Sequence, residues 1–447
     1  MQSRVRRVLG AGVANFVSRA VAAGVGFASV PLALDYLGPE RYGAWVSLVS
    51  LLAWAQLADL GVANGLTNAL ADAYGRRATA EARAYVSTAL VFLSCIAAAC
   101  ALAFGIGAAP LDWAKFFNVH SPLAREEVPR AVLGAVAVFL ASFPLSLTDR
   151  VYAAYQQGVY AVYWSILGSI ASLCAIILAI SAHLGLAGLV LSTAGARLLA
   201  TAASTADLFW RRLPELRPSL SLFDRSLASR LARTGGLFFV LQVGALILYN
   251  TDNLVIARVI GAAAVTPYAV AWTLFTIPSL AASIVFPYLW PAYTAALAEG
   301  DWPWIIRVLR RSIAGSGTAG IVLAAVLLWQ NDTIISWWAG PSAVAPAPVA
   351  RWMAIWSVVV AFMSPVTCLL NAAGRLRGQA TYGAATSALN LGLSVWWARV
   401  FGLSGVIAGT VVSYGICAVV PSIWELTIVV TRRSTPARTR VEGIGSA

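Results

Sequence analysis

The sequence predicts an all-α polytopic membrane protein with about twelve transmembrane helices in two six-helix lobes. Two observations carry this. Sixty percent of the 447 residues are hydrophobic and only 11% are charged, with a mean hydropathy of +0.78. A soluble protein holds about 25% charged residues and 45–50% apolar ones, and a soluble multidomain enzyme could not hide this much apolar surface from water. The apolar residues also come in continuous runs of about 20, the length of a bilayer-spanning helix. The strands of a membrane β-barrel would alternate apolar and polar residues instead.

Apolar runs fall at about 8–34, 43–71, 84–109, 131–148, 159–182, 186–210, 235–259, 266–297, 312–331, 351–372, 380–401 and 404–430. The first follows a basic Arg-Val-Arg-Arg start that could pass for a secretory signal. It is longer than the roughly 7–15 residues of a signal core, and Arg19 interrupts it. It reads as a retained first helix.

Twelve spans put both termini on one side. With the N-terminus inside, 22 basic residues fall in cytoplasmic segments and seven in outward ones. That threefold excess sets the orientation by the positive-inside rule, with both termini cytoplasmic. It also accounts for the net charge of +13 and the pI near 10 without nucleic acid.

The domain reading follows from the longest cytoplasmic connection. An N-terminal lobe spans 1–210, an arginine-rich linker 211–234, a C-terminal lobe 235–430 and a basic tail 431–447. His-Leu-Gly-Leu-Ala-Gly-Leu at 183–189 is echoed by Val-Phe-Gly-Leu-Ser-Gly-Val at 400–406, each between the fifth and sixth span of its half. Duplicated six-helix halves with a ligand site between them are a transporter habit. The five cysteines lie inside apolar runs and the two histidines in separate loops, so neither a disulfide framework nor a metal or other cofactor is expected.

Ionisable groups inside spans cost about 2.5–3.5 kcal/mol each at the centre and usually face a cavity or a partner. Four stand out: Arg19, Asp59, Arg197 and Asp252. Counted from the cytoplasmic ends of their spans, the first three lie at about 16–20 Å depth and Asp252 at about 25 Å. Helical spacing places Gly12, Asn15, Arg19, Ala22 and Gly26 on one face of the first helix. Gln56, Asp59, Ala63 and Thr67 share a face of the second, and Gln242, Tyr249 and Asp252 a face of the seventh. Such polar stripes suggest a wet central cavity. The eighth span contains Pro278, Pro287 and Pro291 and carries Tyr268, Trp272 and Phe275 on one side. That aromatic face could stack on sugar rings or serve packing alone.

Several segments resemble the bacterial oligosaccharide flippases (Wzx-type) of the polysaccharide transporter family, within the multidrug/oligosaccharidyl-lipid/polysaccharide exporter superfamily. They are Pro-Leu-Ala-Leu-Asp-Tyr-Leu-Gly-Pro-Glu-Arg-Tyr-Gly-Ala-Trp at 31–45, Asp-Leu-Gly-Val-Ala-Asn-Gly-Leu at 59–66, Thr-Asp-Asn-Leu-Val-Ile-Ala-Arg-Val-Ile-Gly at 251–261 with Pro-Tyr-Ala-Val-Ala at 267–271, and the glycine turn at 402–409. The resemblance implies two bundles around a cavity lined mainly by the first, second, seventh and eighth helices. It implies alternating-access flipping of lipid pyrophosphate-linked oligosaccharide to the outer leaflet of a bacterial inner membrane, not an enzymatic reaction. The pyrophosphate-holding cation would be Arg19, with Arg197 on the sixth helix outside the main lining. Asn15, Asp59, Gln242 and Trp272 complete the expected substrate contacts. Asp252 is the expected H⁺ or Na⁺ coupling site. Membrane lipids and the assembly proteins of a polysaccharide pathway are the partners implied.

Three rival readings remain open on the sequence. One is a small-molecule or drug antiporter of the same superfamily, and another a scaffold in a polysaccharide assembly complex. The third, a membrane glycosyltransferase or polymerase, would need acidic residues near an outer helix end, where Asp35 and Glu40 are the only pair. Arg19 and Asp59, at matched depth on adjacent antiparallel helices, are expected to pair.

Overall fold

The computed structural model describes residues 2–55, 62–108 and 111–431. Side chains are described except at 2–16, 53–55, 62–64, 68, 232–245, 247–249, 280–285, 287–288, 291, 295, 298 and 376–377. Asn15, Asp59 and Gln242, and with Asp59 its expected pairing to Arg19, lie outside that description.

The helices run in chain order as α1 (Gln2–Ala55), α2 (Val62–Gly75), α3 (Thr79–Ala103), α4 (Trp113–Phe116), α5 (Pro122–Ser142), α6 (Leu147–Ala154), α7 (Gly158–Ser181) and α8 (Gly185–Asp207). After a linker come α9 (Arg225–Val259), α10 (Ala262–Phe275), α11 (Ile277–Glu299), α12 (Trp302–Trp329), α13 (Asn331–Ala339), α14 (Ala347–Ala372), α15 (Leu376–Phe401), α16 (Leu403–Tyr414) and α17 (Val420–Thr431). Wherever it is described, each apolar run falls on helix. The protein is an all-α, multi-pass membrane protein.

Seven helices among the described residues are each long and apolar enough to cross a bilayer, and eight if the bent pair Pro122–Ser142 and Pro144–Ala154 is one span. α9 carries Asn250, Asp252 and Asn253, and the passage of α10 and α11 is broken at Thr276. Spans that bury polar groups inside the protein need not be apolar all round.

Local signals set the ends. Gly38 adopts φ 73°, ψ 169° and divides α1 into two membrane passages. Ser121 caps α5, accepting from the amide of Ala124 with Pro122 in the first turn, and Asp301 caps α12 by accepting from Trp304. Gly300, left-handed at φ 73°, terminates α11.

The 31–45 segment ties down the first half at the Gly38 face. Arg41 pairs with Glu127 at 3.2 Å and donates to the Leu37 carbonyl. Glu127 also accepts from the Leu186 amide, while the Gly185 amide donates to the Tyr36 hydroxyl at 2.8 Å. Gly185 has φ +67°, and a Cβ there would lie 2.3 Å from a Glu127 oxygen, so glycine is required on two counts.

Opposite lies the linker face. Here the arginine-rich connection is fastened to the first half. Arg212 pairs with Asp207 and lies 3.2 Å from the Tyr160 ring centroid. Arg83 donates to the Arg217 carbonyl, and the amides of Ser219 and Asp224 donate to Ser87 and Thr88.

Core packing differs between the two faces. Toward the Gly38 face one buried cluster unites both halves, joining Leu34, Tyr42 and Val128 to Ile256, Val265 and Val349. Toward the linker face the clusters separate. One holds Leu70, Tyr85 and Leu208 with Leu231 at the start of α9; others hold Tyr293, Ile305 and Leu369, or Met363, Leu370 and Val429. Among the described residues the halves share one core at the Gly38 face, whereas at the linker face the start of α9 joins the first-half cluster and the second-half clusters stand apart from it.

The seal depends on backbone approach. A Cβ on Gly43 would lie 1.8 Å from the Ala262 carbonyl oxygen, and Thr266 donates to the Pro39 carbonyl at 2.5 Å. Gly43→Ala should therefore destabilise by about 1–3 kcal/mol, the range for overpacking. The check is thermal unfolding in detergent, and an unchanged midpoint would refute the close approach.

Candidate functional site

Two polar constellations of opposite sign lie on either side of α9. In the first half, a cavity of about 540 Å³ is walled by α1, α5, α7 and α8 and closed by Asn250 of α9. Ser29, Ser172, Thr193 and Thr201 line it, and among the described residues Arg197 is its one charged lining residue. A second chamber of about 290 Å³ shares Arg197 and Thr201 with the first and adds Asp149, Trp164 and Ala22. Arg197 thus stands where the two chambers meet, exposed within the protein and without an ion pair among the described residues.

Local packing explains its position. A Cβ on Gly168 would touch Ala200 at 3.1 Å, so α7 and α8 approach closely just beside Arg197. The long side chain is directed into open space. Arg197, which the resemblance sets outside the main lining between the halves, lines both chambers of the first half.

Arg19 is exposed on α1 and has no hydrogen bond or ion pair among the described residues. Ala22 and Gly26, on the same helix face, line the two chambers with Arg197. Helical spacing puts Arg19 on the α1 face that Ala22 and Gly26 share. Guanidinium forks suit phosphate, which they can bind through two parallel hydrogen bonds.

The second constellation surrounds Asp252, only 5% exposed. Its Oδ2 accepts from the Tyr268 hydroxyl at 2.5 Å and from Thr410 at 3.2 Å. Asn390 donates its amide to Thr410 at 2.8 Å, and Ser394 donates to the Val406 carbonyl. Four helices, α9, α10, α15 and α16, thus converge on one carboxyl group. Asp252 Oδ1 and Asn390 Oδ1 are buried without a hydrogen-bond partner among the described residues. No cationic side chain pairs with Asp252 among the described residues.

Asp252 therefore does not face the wet cavity that the stripe on the seventh span suggested. It is buried among the hydroxyls of Tyr268 and Thr410, with the Asn390 amide behind Thr410. Thr410 and Asn390 were missed from sequence; an asparagine alone inside the apolar 380–401 run was the available signal. Asp149 was missed because it precedes Arg150 near the end of a span and reads as interfacial.

Trp272 stacks between Tyr268 at 6.3 Å and Trp356 at 6.2 Å, and Trp356 packs edge-on against Tyr414. Trp272 is thus part of an aromatic chain joining α10 to α14, and it stays partly exposed. The outer acid pair is also accounted for in part. Glu40 accepts from the amides of His120 and Ser121, so it serves as a structural cap, and of the pair only Asp35 stays free among the described residues. Among the described residues no group of three or more His, Cys, Asp or Glu could hold a metal.

A model of the polysaccharide biosynthesis protein family matches residues 10–293. A putative O-antigen transporter of Salmonella typhi is 22% identical over 314 residues, covering 70% of this chain and 71% of the relative. A putative O-antigen transporter of Salmonella typhimurium is 30% identical over 76 residues, 17% of each. In three dimensions the chain resembles an inward-facing multidrug resistance MATE family transporter of the MOP superfamily, with TM-score 0.78, 14% identity and coverage of 94% of this chain and 96% of that one. It matches an outward-facing MATE transporter with TM-score 0.63 and 16% identity, covering 96% of each chain.

The Asp252 pocket makes a separable prediction. Tyr268→Phe removes a buried donor and should cost about 1–3 kcal/mol. The same substitution in an Asp252→Asn background should cost less, because the carboxylate it serves is gone. Equal losses of thermal stability in both backgrounds would mean that ring packing, not the hydrogen bond, is what matters.

Proposed function

Because the chain belongs to the polysaccharide biosynthesis protein family and is a membrane transporter, we propose that it moves lipid pyrophosphate-linked oligosaccharides across a bacterial inner membrane by alternating access. The observation that carries the reading is Arg197, without an ion pair among the described residues at the junction of two polar chambers, with Arg19 on the α1 face whose Ala22 and Gly26 line them. A lipid diphosphate supplies an anion for these guanidinium groups. The O-antigen transporter relatives and the basic linker face, placed in the cytoplasm by the positive-inside rule, support the substrate and its direction.

The state of the protein fits loading from the linker face. Among the described residues both halves share one buried core at the Gly38 face and hold distinct clusters at the linker face, and the overlap is greater with the inward-facing relative than with the outward-facing one. An anionic head moving outward is also favoured by an inside-negative potential, by about 2.3 kcal/mol per charge per 100 mV.

Resetting the empty site is the step that an ion would assist. A buried carboxylate with no cationic partner is costly, so a proton or Na⁺ accompanies Asp252 in this reading. The free Oδ1 atoms of Asp252 and Asn390 and the Thr410 hydroxyl are hard oxygen donors, which suit either ion. A drug antiporter of the same fold is the second reading, favoured by the MATE likeness.

Purified protein in liposomes separates these readings. Arg19→Ala/Arg197→Ala should slow flipping of lipid pyrophosphate-linked sugar about tenfold or more, the effect of losing charge-assisted hydrogen bonds. Wild-type rates in that variant would remove the pyrophosphate assignment, and export of cationic dyes in place of the lipid would favour the antiporter. Asp252→Asn should retain substrate binding while losing dependence on a pH or Na⁺ gradient. Gradient dependence that survives the substitution would leave Asp252 a structural polar residue.

A further inference from the structure

The geometry points to Trp338 as a gating residue that latches the Gly38 face by capping a carbonyl that Pro31 leaves without a partner. Pro31 lies inside α1 and has no amide hydrogen, so the Phe27 carbonyl four residues earlier loses its helical donor. A freed carbonyl within a membrane helix must find another donor from a neighbour or from water. Here the donor comes from the other half of the molecule. The Trp338 indole Nε1–H donates to the Phe27 carbonyl at 2.9 Å, and the Phe27 and Trp338 rings pack with centroids 5.0 Å apart.

Trp338 belongs to α13, the short helix between α12 and α14. That helix is held in the seam by the buried side chains of Ile335 and Ala339. It ends at Gly340, whose φ of 88° turns the chain toward α14. The bond therefore links the second half to the middle of the first helix of the first half. If the halves separate at this face, Trp338 and Phe27 must part.

Water is close enough to replace the indole. A cavity of about 840 Å³ lies between the Gly38 end of α1 and α13, lined by Pro31, Asp35, Tyr36, Trp337 and Trp338 among others. Asp35 and Trp337 are exposed in it. A bridging water is nearly as good a partner as a direct hydrogen bond. In the closed state the carbonyl is capped dry by Trp338; in the open state this vestibule wets it. The proline thus gives the carbonyl two nearly equivalent partners, one for each state, where an ordinary residue would fix a single internal one. Pro31 makes the gate bistable, and Trp338 weights it toward closed.

The inference rests on the alternating-access part of the proposed function and not on its substrate. It is tested by pulsed electron–electron resonance on the full-length protein in lipid nanodiscs. Spin labels at Ser181→Cys and Ala347→Cys, one in each half at the Gly38 face and both exposed, report the opening in a background with the five native cysteines replaced. Trp338→Phe keeps a ring for Phe27 but removes the donor. It should raise the open-to-closed ratio by roughly 2- to 12-fold, the range for one net hydrogen bond. Pro31→Ala returns an internal donor to Phe27 and should shift the ratio in the same direction. Adding Trp338→Phe to Pro31→Ala should then change little.

Two distance populations that Trp338→Phe leaves unmoved would overturn the latch while leaving the rocking motion intact. A shift of equal size in the presence and absence of Pro31 would also overturn it, since ring packing would then be the cause. A single distance that no variant alters would sink the latch and the alternating-access reading together.

Discussion

The rest of the structure depends on the approach of two backbones at Gly43 and Ala262. No side chain fits between them, since a Cβ at Gly43 would overlap the Ala262 carbonyl oxygen. That contact brings the Pro39 carbonyl within reach of Thr266 and lets Asn253 donate to Ser50 at 2.9 Å across the halves. Arg258 reaches the Lys115 carbonyl on the same face. Once the backbones are this close, the apolar side chains around them form one cluster drawn from both halves. Among the described residues the linker-face clusters stand apart from it and from one another.

That asymmetry places the charges. Arg197 faces open chambers in the first half, and Asp252 is enclosed in the second, with only α9 between them. Asn250 and Asp252 are two residues apart on that helix, and a helix turns about 200° over two residues. One side chain therefore lines the first-half cavity while the other enters the pocket of Tyr268 and Thr410. A cation and an anion in the same protein would ordinarily pair. Here their separation leaves each available for a ligand of opposite sign, and a shared helix gives the two sites a physical connection.

Much of this was legible in the sequence. Composition and run length gave the class, because lipid requires helices of a minimum apolar length. The 31–45 segment stood out, and its work is now concrete: Tyr36, Arg41 and Glu40 fasten α1 to α5 and to the turn before α8. Arg19, Arg197 and Asp252 stood out for their cost in a membrane. The partners of these residues were not legible. Tyr268, Asn390 and Thr410 approach Asp252 from helices up to 158 residues away in sequence, and a lone threonine in an apolar run carries no signal of its own. Trp272 shows the reverse failure. Its helical spacing with Tyr268 was visible, but Trp356, which packs against it, comes from α14 and cannot be placed by periodicity.

The linker places a further constraint on how the halves can move. Its bonds to Arg83, Ser87 and Thr88 hold it to α3, and Leu231 at the start of α9 is buried in the first-half cluster. The far end of α9 belongs to the seam, where Val255 and Ile256 are buried. The 35-residue helix is thus anchored to the first half at one end and shared between the halves at the other. A rigid helix anchored in this way would resist rotation about the seam. Gly235, Gly236 and Gly244 fall between the two anchors, and glycine lowers helix stability by about 1 kcal/mol per residue relative to alanine. Bending is therefore cheapest in that interval, on the linker-face side of the turn that presents Asn250 and Asp252. Asn250 and Asp252 thus lie on the helix whose two ends are buried in the first-half cluster and in the seam.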